Sequence, residues 1–409
     1  MGRRNAGGTF DQFSTFPNQL HRVKEVSIFN TATNEEIKGG QVTDVYFERT
    51  QKILEENNVD KKVRMEVRAK NLPSNSPGIL TGLDEAVQLF EGTEMTVWSS
   101  PEGSVFFPYE PVLMIEGNYR GFAPLETPLL GLICQASGIS TKARIITEAA
   151  EDKPVFHFGS RRMHPAISPM IGRSAYIGGC DGVAVTKTAR QLGLDPVGTI
   201  PHALILLLED STTATGMFEE IFGKDVDTVA LVDTFGDEKF EALENAELIK
   251  GLKAVRLDTP SSRRGDMLEI AKEVRWELDL HGFTNVDIFI SGGLNEETIP
   301  ELNEVADAYG VGTSISNAPV VDFSLDIVEI EGEPISKRGK KSGAKQLYLC
   351  EGCNNRTVRP FGEAERNCPQ CGGKAEPAMK KLIEDGEVIS DYPEAKAIRE
   401  YSISQPFEK

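Results

Sequence analysis

Two glycine-rich segments are candidates for binding an anion. Ser291-Gly292-Gly293 follows the apolar run at residues 286–290, and Gly312-Thr313-Ser314 follows the run at 308–311. Glycine has no Cβ, so its backbone N–H group can approach a phosphate oxygen closely. Between the two segments, Asn295 is a favourable helix N-cap. The stretch predicts a strand–helix–strand unit whose glycine turns form a phosphate cradle, although glycines are also ordinary turn residues after strands.

Short β-branched or apolar runs recur between residues 154 and 317, and each ends in polar or small residues. Seven such strand candidates, spaced for intervening helices, predict repeated βα units and a parallel sheet, most simply a barrel or near-barrel. The seven runs are VFHFGS, GVAVTK, PVGTIPH, TVALVDT, AVRLDT, IFISGG and YGVGTS.

The carboxyl ends of these strands would meet at one face of the sheet. Arginine there offers a bidentate fork to carboxylate or phosphate, and aspartate suits ribose hydroxyls or Mg²⁺. Taken singly, a strand-end aspartate often caps the next helix and a histidine usually packs. Together the strand ends predict a site for a phosphorylated, multiply anionic substrate. They are Arg161, Arg162, His164, Thr199, His202, Asp233, Arg256, Asp258, Ser291, Gly292, Gly293 and Gly312.

Four cysteines near the C-terminus form two CxxC pairs, Cys350 with Cys353 and Cys368 with Cys371. This spacing is typical of a zinc ribbon, in which four thiolates bind Zn²⁺ tetrahedrally and leave no open position. The metal would therefore be structural. Two disulfides or a redox pair are the alternatives.

A basic segment at residues 337–342, KRGKKS, is the dense positive cluster of an otherwise acidic chain. It is either a solvated loop or a second set of phosphate ligands.

Composition narrows the function classes. The 409 residues carry a net charge of −19, which argues against a non-specific nucleic-acid binder. The longest apolar run, at residues 203–208, is too short to span a bilayer, and the N-terminus has no apolar core for a signal peptide. We expect a cytoplasmic protein with no nucleic-acid or membrane partner.

The remaining chain predicts flanking units. Residues 1–25 have no clear period and suggest a flexible extension, whereas residues 26 to about 120 suggest helices on an antiparallel sheet. Residues 126–136 predict a buried helix. After residue 377, the segments AMKKLIEDG and PEAKAIREY both look helical.

Seven of these motifs, in this order, resemble nicotinate phosphoribosyltransferase, in particular the variant with a C-terminal zinc ribbon. They are TDVYFERT (43–50), FGSRRMHPAISP (158–169), GTIPHAL (198–204), LVDTF (231–235), VRLDTPSSRRG (255–265), SGGL (291–294) and GVGT (310–313).

The resemblance implies an α/β fold in which an irregular or incomplete βα barrel (136–317) follows an N-terminal α/β sandwich domain (26–135, rejoined at about 318–345). A zinc-ribbon domain and helical tail (346–409) complete the chain. The implied reaction converts nicotinate and 5-phosphoribosyl-1-pyrophosphate (PRPP), with Mg²⁺, to nicotinate mononucleotide and pyrophosphate. ATP is a co-substrate, hydrolysed through a phosphohistidine, and a homodimer shares its active sites between subunits.

The resemblance also implies roles for individual residues. The pyridine ring would stack between Phe158 and the partner subunit's Tyr46, with Arg256 near the carboxylate and His202 phosphorylated. The remaining implied ligands are Arg161 and Thr199 beside the substrate, Asp233 and Asp258 around the ribose and base, Ser291, Gly292, Gly293, Gly310 and Gly312 at the 5′-phosphate, and Arg338 and Lys340 at the pyrophosphate or ATP phosphates.

Three other functions fit the same residues. A quinolinate enzyme needs more cations around the ring, and the sequence supplies Arg161, Arg162, Arg256, Arg263 and Arg264 as candidates. A nicotinamide enzyme would need a neutral or acidic partner for the amide. A zinc-ribbon nucleic-acid-binding protein is disfavoured by the acidic balance.

Overall fold

The computed structural model describes residues 29–73, 76–263, 265–363 and 367–407, so the predicted extension at residues 1–25 lies outside the described part. The first third of the chain places helices against an antiparallel sheet. Its elements are α1 (Asn34–Lys38), α2 (Val45–Glu56), β1 (Lys62–Ala69), β2 (Gly78–Ile79), α3 (Leu83–Phe90), β3 (Thr96–Ser99), β4 (Val105–Phe106), β5 (Leu113–Asn118), α4 (Tyr119–Phe122), a 3₁₀ turn (Ala123–Leu125) and α5 (Glu126–Ala149).

Strand β1 shows why this sheet forms. Val63, Met65 and Val67 alternate along the strand and are buried against helices α3 and α5. Glu66 and Arg68, on the opposite face, are also buried, because the C-terminal part of the chain covers that face. The buried helix predicted at residues 126–136 is confirmed and continues to Ala149.

The middle third alternates strands with helices, as predicted. Its elements are β6 (Val155–His157), 3₁₀ turns at Ser160–Arg162 and Pro165–Ile167, α6 (Ser168–Ile177), β7 (Gly182–Val183), α7 (Thr186–Leu192), α8 (His202–Leu208), α9 (Ser211–Phe222), β8 (Thr228–Leu231), α10 (Glu238–Leu248), β9 (Leu252–Leu257), α11 (Met267–Leu280), β10 (Asp287–Ser291), α12 (Ile299–Leu302), β11 (Ala308–Val311) and α13 (Thr313–Ser316).

The six strands form one parallel sheet in the order β7-β6-β11-β10-β9-β8. The two outer strands, β7 and β8, do not pair with each other, so the curled sheet is an incomplete barrel and the fold prediction is confirmed. Buried aliphatic side chains such as Val155, Val255 and Ile288 pack against the surrounding helices.

One of the seven predicted strands, PVGTIPH at residues 196–202, is wrong. Residues 194–201 have no regular structure, and α8 begins at His202. Pro196 and Pro201 bracket the segment, and proline cannot donate a ladder hydrogen bond. The segment is instead a loop in which the Val197 N–H donates to the Val183 carbonyl oxygen on β7 (3.0 Å) and Ile200 packs with Leu231 on β8.

The last third returns to the first sheet. Its elements are β12 (Phe323–Ile330), β13 (Glu333–Pro334), β14 (Lys345–Cys350), β15 (Arg356–Pro360), β16 (Ala375–Pro377), β17 (Lys380–Glu384), β18 (Glu387–Val388) and α14 (Ala395–Ser404). The first sheet has the order β13-β12-β1-β5-β3-β17-β18, and a small sheet, β15-β14-β16, carries the cysteines.

The helix predicted for AMKKLIEDG is wrong, because Lys380–Glu384 is strand β17. Its backbone pairs with β3, and Ile383 is buried opposite Val97. Tertiary pairing with an open sheet edge therefore overrides local helix propensity. The second predicted tail helix, PEAKAIREY, is confirmed as α14. The domain bounds stay a prediction. Across the described residues, every helix is too short or too polar to cross a bilayer.

Candidate active site

The ring of Phe158 forms an aromatic platform just beyond the end of β6. Its backbone N–H donates to the Val311 carbonyl oxygen (2.8 Å), which fixes the residue beside β11. The ring lies on Gly310, where an added Cβ would come within 2.7 Å of a ring carbon. Phe289 packs against the ring edge with centroids 5.8 Å apart. Gly310 is therefore required as glycine so that the ring can lie flat over the sheet.

The first glycine turn lies beside this platform. Gly292 and Gly293 have φ angles of +92° and +76°, which favour glycine. An added Cβ at Gly292 would meet a carboxylate oxygen of Asp258 at 3.2 Å. The Asn295 side chain caps the next turn by accepting from the Glu297 and Thr298 N–H groups (both 3.0 Å). The helix predicted there is a single turn, α12.

One cavity of about 530 Å³ joins the platform to the glycine turns. It brings together most of the predicted strand-end residues. Its lining includes Phe158, Arg161, Arg162, Arg256, Asp258, Ser291, Gly292, Gly293, Gly310 and Gly312.

Arg256 and Asp258 occupy the wall of this cavity. The Ser291 hydroxyl donates to one Asp258 oxygen (2.7 Å), and Arg256 lies 3.7 Å from the other. Arg256 also donates to the Thr199 hydroxyl (2.5 Å). Its Nε atom is buried without a partner among the described residues. Burial lowers the pKa of Arg256, an effect that Asp258 and Asp233 oppose. A buried guanidinium with an unused donor is suited to an anionic ligand.

His202 and Asp233 form a second group next to Arg256. The histidine Nε2 lies 3.0 Å from an Asp233 oxygen, and the side chains are 40% and 1% exposed, respectively. Burial raises the pKa of Asp233 and nearby Asp258 adds to the rise, whereas His202 and Arg256 lower it. The second Asp233 oxygen has no hydrogen-bond partner within the described chain. The pair thus offers an oriented imidazole and a free carboxylate oxygen.

Tyr46, Arg338 and Lys340 do not line this cavity. Tyr46 is 56% exposed and lines a separate cavity of about 510 Å³ with Tyr119, Glu126 and Lys337. The Lys340 ammonium group is paired with Asp326 (2.6 Å), while Arg338 is exposed on the adjacent turn. One chain therefore keeps the two sets of predicted ligands apart.

Sequence reasoning missed Asp326, which organises the basic segment. Its carboxylate lies on β12, is 2% exposed and pairs with both Lys337 (2.7 Å) and Lys340 (2.6 Å). The strand FSLDIVEI contains two acids, Asp326 and Glu329, and its local pattern does not single out Asp326.

The four predicted cysteines converge at the small sheet. All four Sγ atoms lie within 4.8 Å of one another, with Cys350 and Cys371 at 3.4 Å and Cys353 and Cys368 at 3.6 Å. A tetrahedral Zn²⁺ with Zn–S bonds of about 2.3 Å requires S···S edges of about 3.8 Å. The cysteines are free thiols, which disagrees with the disulfide alternative. The cluster can hold a metal ion.

Comparison with known proteins agrees with this geometry. Family models of the N-terminal and C-terminal domains of quinolinate phosphoribosyl transferase match residues 44–137 and 139–326. A crystal structure of nicotinate-nucleotide pyrophosphorylase from Pyrococcus furiosus is 52% identical, covers 93% of this chain and 98% of its own, and superposes with a TM-score of 0.91. A nicotinate phosphoribosyltransferase of Mycobacterium tuberculosis is 32% identical over 279 residues, which are 65% of this chain and 58% of the relative.

The chain belongs to the quinolinate phosphoribosyl transferase family, whose two domain models together match most of its length.

Other nicotinate phosphoribosyltransferases resemble the chain less than the Pyrococcus furiosus protein does. The Bacillus subtilis nicotinate phosphoribosyltransferase is 27% identical, over 66% of this chain and 63% of its own. The human nicotinic acid phosphoribosyltransferase structure is 18% identical with a TM-score of 0.73, covers 88% of this chain and 93% of its own, and supports the fold alone. The chain spans about three-fifths of the curated relatives' length. The predicted family resemblance is confirmed.

Proposed function

We propose that this chain is a nicotinate phosphoribosyltransferase of NAD salvage. It would join nicotinate to PRPP, releasing nicotinate mononucleotide and pyrophosphate. The observation that carries the proposal is the single cavity in which an aromatic platform, a buried arginine and two glycine turns converge. These match the three parts of the product, namely a flat ring, a carboxylate and a sugar phosphate.

Each part of the cavity has a role in binding. Backbone N–H groups of the turns at Gly292–Gly293 and Gly310–Gly312 hold the 5′-phosphate. Phe158 supports the pyridine ring, and Arg256 binds its carboxylate. Asp258, held by the Ser291 hydroxyl, accepts from the ribose hydroxyls. Arg161 faces the same cavity as a further anion ligand.

The chemical step needs positioning more than covalent chemistry. The ring nitrogen forms a bond to the anomeric carbon as the bond to the pyrophosphate oxygen breaks, and pyrophosphate leaves with the bonding electrons. Aligning the two reactants in this way is worth about 7–11 kcal/mol. Mg²⁺ bound with PRPP would neutralise the leaving group, and the unpartnered Asp233 oxygen beside Asp258 fits such an ion.

ATP enters the proposal through His202. When Nε2 donates to Asp233, the other ring nitrogen, Nδ1, is unprotonated and can attack the γ-phosphorus of ATP, with ADP as the leaving group. Water would later cleave the N–P bond and release phosphate. The phosphorylated ring would lie beside the pyrophosphate site and help to orient the groups that stabilise the charge on the leaving pyrophosphate. ATP hydrolysis would in this way be coupled to phosphoribosyl transfer.

We also propose a cytoplasmic homodimer with shared active sites and a structural Zn²⁺. Tyr46 and the basic turn lie outside the Phe158 cavity, so a second copy would have to bring them to it. The four cysteines would hold Zn²⁺ away from the chemistry, where it stabilises the small sheet.

A quinolinate phosphoribosyltransferase is the second candidate. Arg161 and Arg162 line the cavity together with Arg256, which supplies enough cations for two adjacent carboxylates.

Turnover with each base tests the two candidates. The protein is incubated with PRPP, Mg²⁺ and either nicotinate, quinolinate or nicotinamide, with and without ATP, and the mononucleotide and CO₂ are measured. We expect the mononucleotide from nicotinate, with ATP increasing its yield. The proposal is wrong if quinolinate alone gives product with release of CO₂, or if no base reacts.

A further inference from the structure

The turn at residues 234–236, which follows β8, is fixed by the buried carboxylate of Glu241 on α10. Glu241 is 7% exposed, and one of its oxygens accepts from the backbone N–H groups of Phe235 (2.8 Å) and Gly236 (2.5 Å). The other oxygen accepts from the Thr234 N–H at 3.4 Å. These three residues directly follow Asp233, which pairs with His202.

These contacts decide what the turn can do. Three consecutive N–H groups could otherwise form an anion site for phosphate. Glu241 occupies them, so the turn serves to place the Asp233 carboxylate. Hydrogen bonds from backbone N–H groups to a buried carboxylate are charge-assisted and therefore stronger than neutral ones.

Glu238, one helical turn earlier, makes the equivalent contact to the next strand end. One of its oxygens accepts from the Thr259 hydroxyl (2.5 Å), and Thr259 directly follows Asp258. The first turn of α10 thus contacts both loops that carry the candidate catalytic aspartates.

The helix itself is fixed to the sheet. The Asn245 amide group, on the buried face of α10, donates to the Ser211 hydroxyl (3.1 Å). That hydroxyl in turn donates to the Leu231 carbonyl oxygen on β8 (3.2 Å). Glu241 therefore acts from a rigid support.

We propose that Glu241 is a positioning residue for phosphoribosyl transfer, acting through the turn at residues 234–236 to hold Asp233 against His202. This inference rests on the proposed function for its kinetic readout. Its structural readout is independent of any activity.

The test compares Glu241→Gln with Glu244→Gln, which changes an exposed carboxylate on the same helix. A glutamine amide has one acceptor oxygen and loses the charge, so the turn should loosen. We expect faster amide hydrogen exchange in a peptide covering residues 232–237, with exchange elsewhere unchanged. We also expect turnover to fall about tenfold while KM for nicotinate stays within about twofold. Glu244→Gln should behave like the wild type.

A double-mutant cycle separates positioning from general weakening. In an Asp233→Asn background, Glu241→Gln should reduce turnover no further, because the group that it positions is already altered. Additive losses would overturn the proposal, as would wild-type exchange at residues 232–237 in Glu241→Gln. If the wild type transfers no phosphoribosyl group, the proposed function fails, and the exchange measurement alone decides the positioning role.

Discussion

Two cavities of similar size, about 530 Å³ and 510 Å³, hold most of the residues that the family resemblance assigns to one site, and they are built in different ways. The Phe158 cavity is formed by the ends of parallel strands, and its glycines and buried side chains fit each other closely. The Tyr46 cavity lies between α2, α5 and β12, and its walls are Phe47, Leu325 and exposed Tyr46. The residues that line the first cavity all come from one chain. The second exposes the Tyr46 ring and the Lys337 side chain to solvent, where they could contact a second subunit.

This difference suggests two roles on the proposed function: the Phe158 cavity binds the substrates, and the Tyr46 region covers the partner subunit's cavity. On the proposed function, the Phe158 cavity binds the ring, the carboxylate and the phosphate of the substrate, so substitutions there should lower turnover directly. The Tyr46 cavity would contribute through a partner subunit, so changes there should depend on assembly.

The largest effect is expected at Arg256, in the first cavity. On the proposed function, Arg256→Ala removes the cation that binds the nicotinate carboxylate. It also leaves Asp233 and Asp258 without a shared positive neighbour. We expect kcat/KM for nicotinate to fall about a hundredfold. Steady-state kinetics with each substrate varied will show it, with Arg190→Ala, an exposed arginine on α7 outside the cavity, as the control. A loss confined to KM for PRPP would place the carboxylate contact elsewhere.

Acid should destabilise the first region through His157. This histidine is 1% exposed on β6, both ring nitrogens lack partners within the described residues, and burial lowers its pKa to about 4. Below pH 6.5 His157 is protonated in the unfolded chain, whereas in the folded protein it stays neutral until the pH falls to about 4. Stability from this residue is therefore complete above pH 6.5 and is lost as pH falls, by up to about 3 kcal/mol.

Urea unfolding of wild type and His157→Leu between pH 4 and 7 measures this effect. The wild-type free energy of unfolding should fall more steeply with acid than that of the variant. Parallel curves would show that His157 finds a partner for its proton in the folded protein.

The second cavity should respond to pH with the opposite sign and a smaller size. Burial, with the charges of Asp326 and Asp44, raises the pKa of Glu126 to about 7, although Lys337 opposes the rise. Between pH 4.5 and 7 the folded protein keeps a proton that the unfolded chain releases. Stability is therefore complete below pH 4.5 and falls as pH rises through 7, by about 1 kcal/mol, because partial exposure screens the charge.

Glu126→Gln tests this assignment. It cannot ionise, so it should be more stable than the wild type at pH 8 and similar at pH 4.5, by urea unfolding at each pH. Equal stability of the two proteins at pH 8 would contradict a raised pKa at Glu126.

Strand-end reasoning from the sequence reached the first cavity because parallel strands place their carboxyl ends together whatever their order. It brought Arg161, Arg256 and Asp258 to one place without knowing the sheet order, whereas Phe158 came from the family resemblance. It failed for PVGTIPH, where β-branched residues suggest a strand but two prolines prevent pairing. The helix predicted for AMKKLIEDG was also wrong, because this segment pairs as a strand with the open edge of β3 despite its helical composition.

Contacts that side chains make with residues distant along the chain could not be predicted from the sequence. Glu241 binds a turn five to seven residues earlier, and Asp326 binds lysines that lie across a hairpin. Nothing in the local pattern distinguishes these acids from exposed ones. Likewise, the family resemblance implied that Phe158 and the partner subunit's Tyr46 form one site, and the structure shows that a single chain holds the two residues in separate cavities.

A mixing experiment tests the shared site most directly. Tyr46→Ala and Phe158→Ala are each expected to be nearly inactive, and the two are co-expressed so that mixed dimers form. Half of the dimers should be mixed, and each should hold one site free of both substitutions. Turnover should then recover to about a quarter of the wild-type value. Activity no higher than that of the separate variants would show that Tyr46 and Phe158 do not meet across subunits.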